Sequence, residues 1–84
     1  CFIGANGVHD EHGYTTPDPE EALVKYTAMQ LAQRVYVLAD HSKLNESAFA
    51  KIADLHEAVL ITDELDEEWQ ERYKAKTIVE VVHL

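Results

Sequence analysis

The chain has 84 residues, enough for one small domain, and carries 16 acidic residues against 7 lysines and arginines, for a net charge of -9. This balance excludes the segment as a nucleic-acid-binding surface, because phosphate contacts need clustered lysine and arginine. A single cysteine excludes an internal disulfide and fits a reducing cytoplasm. No apolar run is long enough to span a bilayer, so we expect a cytoplasmic protein without a membrane partner.

The chain begins with the apolar residues 1–3, which predict a buried strand. The dozen polar, glycine-punctuated residues that follow predict a loop. Asp18, with Pro19 after it and Glu21 at the third position, has the pattern of a helix cap and capping box. This start signal predicts a helix over about residues 19–33.

One apolar stripe of this helix is expected to face the sheet. Residues at helical spacing form it, namely Val24, Ala28, Leu31 and Val35. The apolar run of residues 35–39 then predicts a strand that is buried on both faces of a parallel sheet.

The second half of the chain continues the alternation of strands and helices. Residues 40–45 predict a loop, and residues 59–62 predict another buried strand. Residues 48–53 are ambiguous between strand and helix; we favour a short strand because the segment is too brief for a stable helix. Residues 66–75 predict a helix with Leu65, Trp69 and Tyr73 on its inner side, and residues 78–82 predict the last strand. Alternation of this kind is typical of a parallel sheet with right-handed crossovers.

Polar residues follow three of the predicted strands. Asn6 and Gly7 follow the first, Asp40 and Lys43 follow the second, and Asp63 follows the third. Ligands of open parallel sheets bind beyond the carboxyl ends of the strands. The sequence therefore predicts a ligand site at one edge of the sheet.

Four sequence blocks resemble the C-terminal sensor domain of DeoR-type transcriptional repressors. They are GANGV at residues 4–8, EHGYTTPDPEEA at residues 11–22 with Lys25 after it, ADHSK at residues 39–43, and ITD at residues 61–63. Their order and spacing are similar to those of the family over almost the whole chain, and TTPDPEEA is the most specific part.

The resemblance implies a three-layer α/β/α domain with a mainly parallel, Rossmann-like sheet, similar to phosphosugar isomerases. Residues 1–84 would be the C-terminal part of a sugar-phosphate sensor domain. A winged-helix DNA-binding domain and the first half of the sensor would lie outside this sequence, which agrees with a start in the middle of a strand at Cys1. The implied partners are a phosphorylated sugar, operator DNA through the N-terminal domain, and further copies of the chain in a homo-oligomer, with no cofactor.

The glycine loop and the residues after it supply half of the candidate ligand contacts. Gly4 and Gly7 allow a ligand to approach the backbone, and Asn6 offers both donors and acceptors; an Asn-Gly turn without a ligand is the alternative. Thr15 and Thr16 can donate hydroxyl hydrogen bonds to sugar or phosphate oxygens, or serve only the loop and the helix cap.

Charged residues supply the other candidate contacts. Lys43 is the best candidate for a phosphate, with an exposed loop lysine as the alternative. Asp40 can orient Lys43 or a ligand hydroxyl, or cap the following turn. Glu21 and Lys25 can reach the ligand, or form a helical ion pair on a solvated face.

Two other functions remain open from the sequence. A sugar-phosphate isomerase would need a general base, but Asn6 and Gly7 stand where the resemblance places catalytic carboxylates, which favours binding without turnover. A module that serves only assembly is the second alternative. The HDEH run at residues 9–12 has the composition of a metal site but not its spacing, so we expect no metal.

Overall fold

The computed structural model describes residues 1–82, which form seven strands and two α-helices. In chain order the elements are β1 (Phe2–Gly4), β2 (Gly7–His9), β3 (Gly13–Thr16), α1 (Pro19–Leu31), β4 (Tyr36–Leu38), β5 (Ala50–Ala53), β6 (Val59–Thr62), α2 (Glu67–Lys74) and β7 (Val79–Val81). Short 3₁₀ turns at His41–Lys43 and Leu55–Glu57 follow β4 and β5. Neither α-helix has the length and the apolar sequence that a bilayer crossing requires.

The parallel sheet predicted from the sequence is confirmed. Its strands lie in the order β1-β4-β6-β7, and all three neighbouring pairs are parallel. Ile3, Val37 and Leu60 lie side by side in the register, and all three are buried. This row forms the inner face of the sheet, on which the core of the molecule packs.

The opposite face of this sheet is exposed and apolar in residues 1–82. Phe2 is 68% exposed, Leu38 is 45% exposed and Ile78 is 65% exposed. The sheet order β1-β4-β6-β7 follows the chain, so each connection moves to the next strand in the same direction. Right-handed connections that all move in one direction lie on the same face of the sheet. The expectation of an α/β fold with a parallel sheet is thus confirmed, whereas a layer on this second face does not form within the described residues.

A second, antiparallel sheet replaces part of the loop that we predicted after β1. β2 and β3 form a hairpin, and β3 also pairs with β5. Val8 and Tyr14 are fully buried between the two sheets, and Tyr14 donates its hydroxyl hydrogen bond to backbone carbonyls at Leu55 and Ala58, both at 3.1 Å. The prediction of a continuous loop was wrong because these strands are only three or four residues long, and their buried threonines read as polar loop residues.

The N-cap and the first residue of α1 were predicted correctly, whereas the capping box and the buried face were not; Glu21 pairs with Lys25 instead of closing the box. Asp18 accepts a hydrogen bond from the backbone N–H of Glu20 at 2.9 Å, and Pro19 opens the helix. Val24 and Leu31, which we expected to face the sheet, are 69% and 84% exposed. The buried residues of the helix are Ala22 and Met29, because α1 packs on β3 and β5 of the small sheet rather than lying flat on the parallel sheet.

The remaining elements agree with the sequence prediction. β5 forms within residues 48–53, and α2 buries Tyr73 completely while Trp69 and Leu65 pack against the core. Asp66 caps α2 by accepting a hydrogen bond from the backbone N–H of Trp69 at 3.1 Å.

Gly4 at the end of β1 and Gly7 at the start of β2 differ in their surroundings. A Cβ built on Gly7 would lie 2.5 Å from Thr15 Oγ1 and 2.6 Å from the carbonyl oxygen of Glu46. A Cβ built on Gly4 would meet no atom within 4 Å. Gly7 is therefore required by the packing of β2, whereas Gly4 leaves open space at the end of β1.

We predict that Gly7→Ala lowers the free energy of unfolding by about 1–3 kcal/mol, because the methyl group overpacks the small sheet. The matched variant Gly4→Ala should change it by less than about 1 kcal/mol, since only the backbone entropy of the glycine is affected. Urea unfolding of both variants measures the difference. Equal destabilisation by the two changes would contradict the packing role of Gly7.

Candidate functional site

The carboxyl ends of β1, β4 and β6 are level with one another. Gly4 pairs with Leu38, and Leu38 pairs with Ile61 in the register of the parallel sheet. The polar residues that follow these strands therefore leave the sheet at the same edge. This arrangement is the one in which open α/β sheets bind their ligands.

Lys25 joins the end of β1 to the first turns of α1. Its ammonium group donates to the carbonyl oxygen of Gly4 at 2.7 Å and pairs with Glu21 at 2.8 Å. The Lys25 side chain is 21% exposed, so the helical ion pair that we weighed against a site role lies over the strand end and not on a fully solvated face. An ammonium has three protons, and these two partners use two of them.

Asn6, two positions after Gly4, is linked to Thr16 by a side-chain hydrogen bond. The hydroxyl of the fully buried Thr16 donates to Oδ1 of the exposed Asn6 at 3.3 Å. The backbone N–H of Asn6 donates to the carbonyl of Thr15 at 2.9 Å. Asn6 is thus held at the surface, where its side chain can meet a ligand.

Gly7 and Thr15 lie inside the small sheet. The hydroxyl of Thr15 donates to the carbonyl oxygen of Gly7 at 3.3 Å and accepts from the backbone N–H of Ala48 at 2.8 Å. Thr15 is 2% exposed. The structure therefore places these two residues beneath the candidate surface, where they support it through backbone hydrogen bonds.

The loop after β4, residues 40–45, brings Asp40 and Lys43 to the same edge. Asp40 caps the short 3₁₀ turn by accepting hydrogen bonds from the hydroxyl and the backbone N–H of Ser42, the latter at 2.9 Å. These hydrogen bonds hold the pKa of Asp40 below its usual range. The capping role that we left open is therefore present, and it keeps the carboxylate charged.

Asp63, one of the polar residues that mark the predicted site, and His41, which the sequence analysis did not select, link the loops after β4 and β6. A carboxylate oxygen of Asp63 accepts from the backbone N–H of His41 at 2.8 Å and lies 3.2 Å from its ring Nδ1. The backbone hydrogen bond is the main reason that the pKa of Asp63 lies below its usual range. The position of Asp63 directly after β6 was the available sequence signal.

A cavity of about 340 Å³ opens at this edge, on the exposed face of the parallel sheet. Its apolar lining comes from the last residues of β4 and β6 and from the segment after β7, and its charged lining comes from two carboxylates. The main lining residues are Leu38, Ile61, Val82, Asp40 and Asp63. An apolar floor with a few polar groups at its rim is typical of sites for small organic ligands.

The HDEH run forms a closed turn at the tip of the β2–β3 hairpin. The rings of His9 and His12 stack with centroids 4.3 Å apart, and His9 Nδ1 accepts from the backbone N–H of Glu11 at 3.0 Å. Within residues 1–82, no group of three histidine, cysteine, aspartate or glutamate side chains is arranged to hold a metal ion.

Comparison with protein families identifies this chain. Residues 1–64 match the model of the DeoR C terminal sensor domain. The chain belongs to the DeoR family. The matched region contains β1 to β6 and all four sequence blocks that carried the resemblance, including the loops at the carboxyl edge of the sheet.

Curated relatives are transcriptional regulators by their descriptions. The chain is 48% identical over 81 residues to a Bacillus subtilis protein described as an uncharacterized HTH-type transcriptional regulator, FruR, covering 96% of this chain and 32% of that protein. It is 44% identical over 66 residues to the HTH-type transcriptional repressor GlcR of the same species, covering 77% of this chain and 25% of GlcR.

A third relative is the deoxyribose operon repressor of Escherichia coli, 40% identical over 55 residues, which cover 66% of this chain and 22% of the repressor. The chain therefore spans about a third of the length of FruR and about a quarter or less of the other two. Its relatives are DeoR-family regulators with a sensor domain, several of them described as repressors.

We predict that Asp63→Asn destabilises the protein at neutral pH and that the effect shrinks in acid. Because the folded-state pKa of Asp63 lies below the ordinary 3.8, its carboxylate stabilises the fold above that pH, and this contribution is lost as the pH falls further. Urea unfolding between about pH 7 and about pH 2 measures the difference from the unmodified protein.

The control is Glu64→Gln, which removes a negative charge one residue away. Glu64 is 77% exposed, and its contact with His41 is a longer one of 3.7 Å. A pH-dependent loss of the same size in this variant would mean that general charge repulsion, and not the His41–Asp63 hydrogen bonds, causes the effect.

Proposed function

We propose that this chain is the effector-binding part of a DeoR-family transcriptional regulator and that it senses a phosphorylated sugar at the carboxyl edge of its parallel sheet. The observation that carries the proposal is that the polar loops after β1, β4 and β6 leave the parallel sheet at one edge, where the ends of β4 and β6 line a cavity; all three loops lie within the region that matches the family's sensor domain. The descriptions of the relatives, such as the deoxyribose operon repressor, support a sugar as the effector.

The chemistry of the edge supports this class of ligand. Asp40 and Asp63 remain charged and can accept hydrogen bonds from sugar hydroxyls, while Leu38 and Ile61 offer apolar surface to the carbon skeleton. Lys43 follows in the same loop and forms no ion pair among residues 1–82, so its ammonium is the best candidate for the phosphate. Gly4, Asn6, Glu21 and Lys25 complete the proposed surface at the end of β1, and the buried Thr16 supports Asn6 from beneath.

The geometry favours binding over isomerisation. A general base needs a pKa near the working pH, but the pKa values of both Asp40 and Asp63 are lowered by the hydrogen bonds they accept. Glu21 is held by Lys25. The carboxylates are therefore better suited to accept hydrogen bonds than to remove a proton from a sugar carbon.

The remaining parts of the proposal concern the longer protein. In this interpretation residues 1–84 are the C-terminal part of a sensor domain, and preceding residues add the third layer on the exposed face of the sheet. Operator DNA is bound by an N-terminal winged-helix domain, since this segment carries a net charge of -9. The regulator acts in the cytoplasm as a homo-oligomer.

We predict that a phosphorylated sugar raises the melting temperature of the regulator that contains this chain. A ligand at about a hundred times its dissociation constant stabilises the folded state by about 2.7 kcal/mol. The panel contains fructose 1-phosphate, fructose 6-phosphate, glucose 6-phosphate, deoxyribose 5-phosphate, the free sugars and inorganic phosphate. Thermal unfolding identifies the ligand, and chromatography of the recovered ligand tests whether it has been converted.

Lys43→Met should weaken the binding of the active compound by about tenfold to a hundredfold, because one charge-assisted hydrogen bond is lost. Lys74→Met is the matched control, since Lys74 lies beside a cavity at the opposite edge of the sheet. Recovery of an isomerised sugar would identify an enzyme. The absence of any shift across the panel would contradict sugar-phosphate sensing and favour a role in assembly alone.

A further inference from the structure

A single buried hydroxyl holds the end of the 40–45 loop. Tyr73 on α2 is fully buried, and its hydroxyl oxygen accepts a hydrogen bond from the backbone N–H of Asn45 at 2.9 Å. The same oxygen lies 2.8 Å from Oδ1 of Asn45 and 3.1 Å from the carbonyl oxygen of Val8. One side chain thus connects α2, β2 and the loop that carries Asp40 and Lys43.

The residue that Tyr73 holds has an unusual backbone conformation. Asn45 has a φ of 65°, and it is the only residue other than glycine among residues 1–82 with a positive φ. Asparagine tolerates this region better than most residues, although the conformation still needs support from its surroundings. Both the backbone and the side chain of Asn45 receive that support from the Tyr73 hydroxyl.

The loop is also packed between β2 and α2. Leu44 is buried and forms an isolated parallel bridge with Val8 of β2. A small cavity of about 280 Å³ separates the loop from the start of α2, and its lining includes His41, Asn45 and Trp69. Trp69 is the single tryptophan of the chain, and its ring centroid lies 6.1 Å from that of Tyr73.

We propose that Tyr73 is a positioning residue for the candidate site. It fixes the 40–45 loop in the conformation that presents Asp40 and Lys43, and it links the state of that loop to α2. The role in ligand binding rests on the proposed function, whereas the role in fixing the loop does not. Burial raises the pKa of Tyr73, so its hydroxyl keeps the proton that it donates.

The chain contains a matched control for this residue. Tyr14 is also fully buried, and its hydroxyl also donates to backbone carbonyls, those of Leu55 and Ala58. These carbonyls precede β6 and therefore lie at the opposite edge of the parallel sheet from the 40–45 loop. Tyr73→Phe and Tyr14→Phe each remove the hydroxyl oxygen of a fully buried tyrosine. Only the Tyr73 hydroxyl is hydrogen-bonded to the 40–45 loop.

The first experiment is hydrogen exchange of the protein without ligand, read at residues 41–46. Tyr73→Phe should accelerate exchange in this segment about fivefold to tenfold more than in β4 and β6, because a local hydrogen-bond network is lost. Tyr14→Phe should leave unchanged the ratio of the exchange rates in residues 41–46 to those in β4 and β6. If Tyr73→Phe does not fold, Asn45→Ala takes its place, because it alters an exposed position and leaves α2 intact. This variant should also accelerate exchange in residues 41–46.

The second experiment measures binding of each sugar phosphate of the panel by calorimetry, together with the fluorescence of Trp69. Tyr73→Phe should weaken binding about fivefold to tenfold and reduce the change in Trp69 emission, whereas Tyr14→Phe should alter neither. If the longer polypeptide contains other tryptophans, the emission of the Trp69→Phe variant is subtracted to isolate the signal of Trp69.

The outcomes separate the two proposals. If Tyr73→Phe accelerates exchange equally in the 40–45 loop and in the strands, the positioning role is overturned, regardless of the binding result. Faster exchange in the loop of Tyr73→Phe would support the loop-fixing role. If the unmodified protein at the same time binds no sugar phosphate of the panel, sugar-phosphate sensing is contradicted. Equal affinities of Tyr73→Phe and Tyr14→Phe for a ligand that does bind would overturn the link between Tyr73 and the site.

Discussion

The parallel pairing of β1, β4 and β6 is the constraint on which the site depends. Backbone hydrogen bonds hold Gly4, Leu38 and Ile61 level with one another. Because the strands run in the same direction, the loops that follow them must leave the sheet at a common edge. Residues that are far apart in the sequence, such as Asn6 and Asp63, thereby become parts of one surface.

A buried set of hydroxyl groups holds the small sheet under that surface. Tyr14, Thr15, Thr16 and Tyr73 are almost completely buried, and each hydroxyl has a hydrogen-bond partner in the chain. A buried hydroxyl without a partner would cost about 1–3 kcal/mol, so these pairings are strong constraints on which backbone segments can lie together. They join the β2–β3 hairpin to the 55–58 turn on one side and to the 40–45 loop on the other.

The elements with local signals were predictable from the sequence. The Asp18-Pro19 cap, the positions of strands β4 and β6, and the inward side of α2 depend on neighbouring residues and were predicted correctly. The burial of β4 on both faces was predicted wrongly, since Leu38 is 45% exposed. The β2–β3 hairpin and the buried face of α1 depend on distant partners. Val24 and Leu31 have the spacing of a buried stripe, but the small sheet that decides the orientation of α1 is assembled from residues 7–16 and 50–53, whose pairing no local pattern reveals.

The same contrast between local sequence signals and contacts of distant residues applies to the candidate site. The strand ends located Asp40 and Lys43, whereas the distant contacts that hold their loop could not be read from the sequence: Tyr73 reaches Asn45 from 28 positions away, and Asp63 reaches His41 from 22 positions away. A regulator needs two states that bind its ligand with different affinity. Asn45 in the 40–45 loop has a positive φ and is held by one hydroxyl, which has two possible acceptors and a single proton to donate. A ligand that displaces the loop would have to break this arrangement, and α2 would then lose its polar connection to the edge of the sheet.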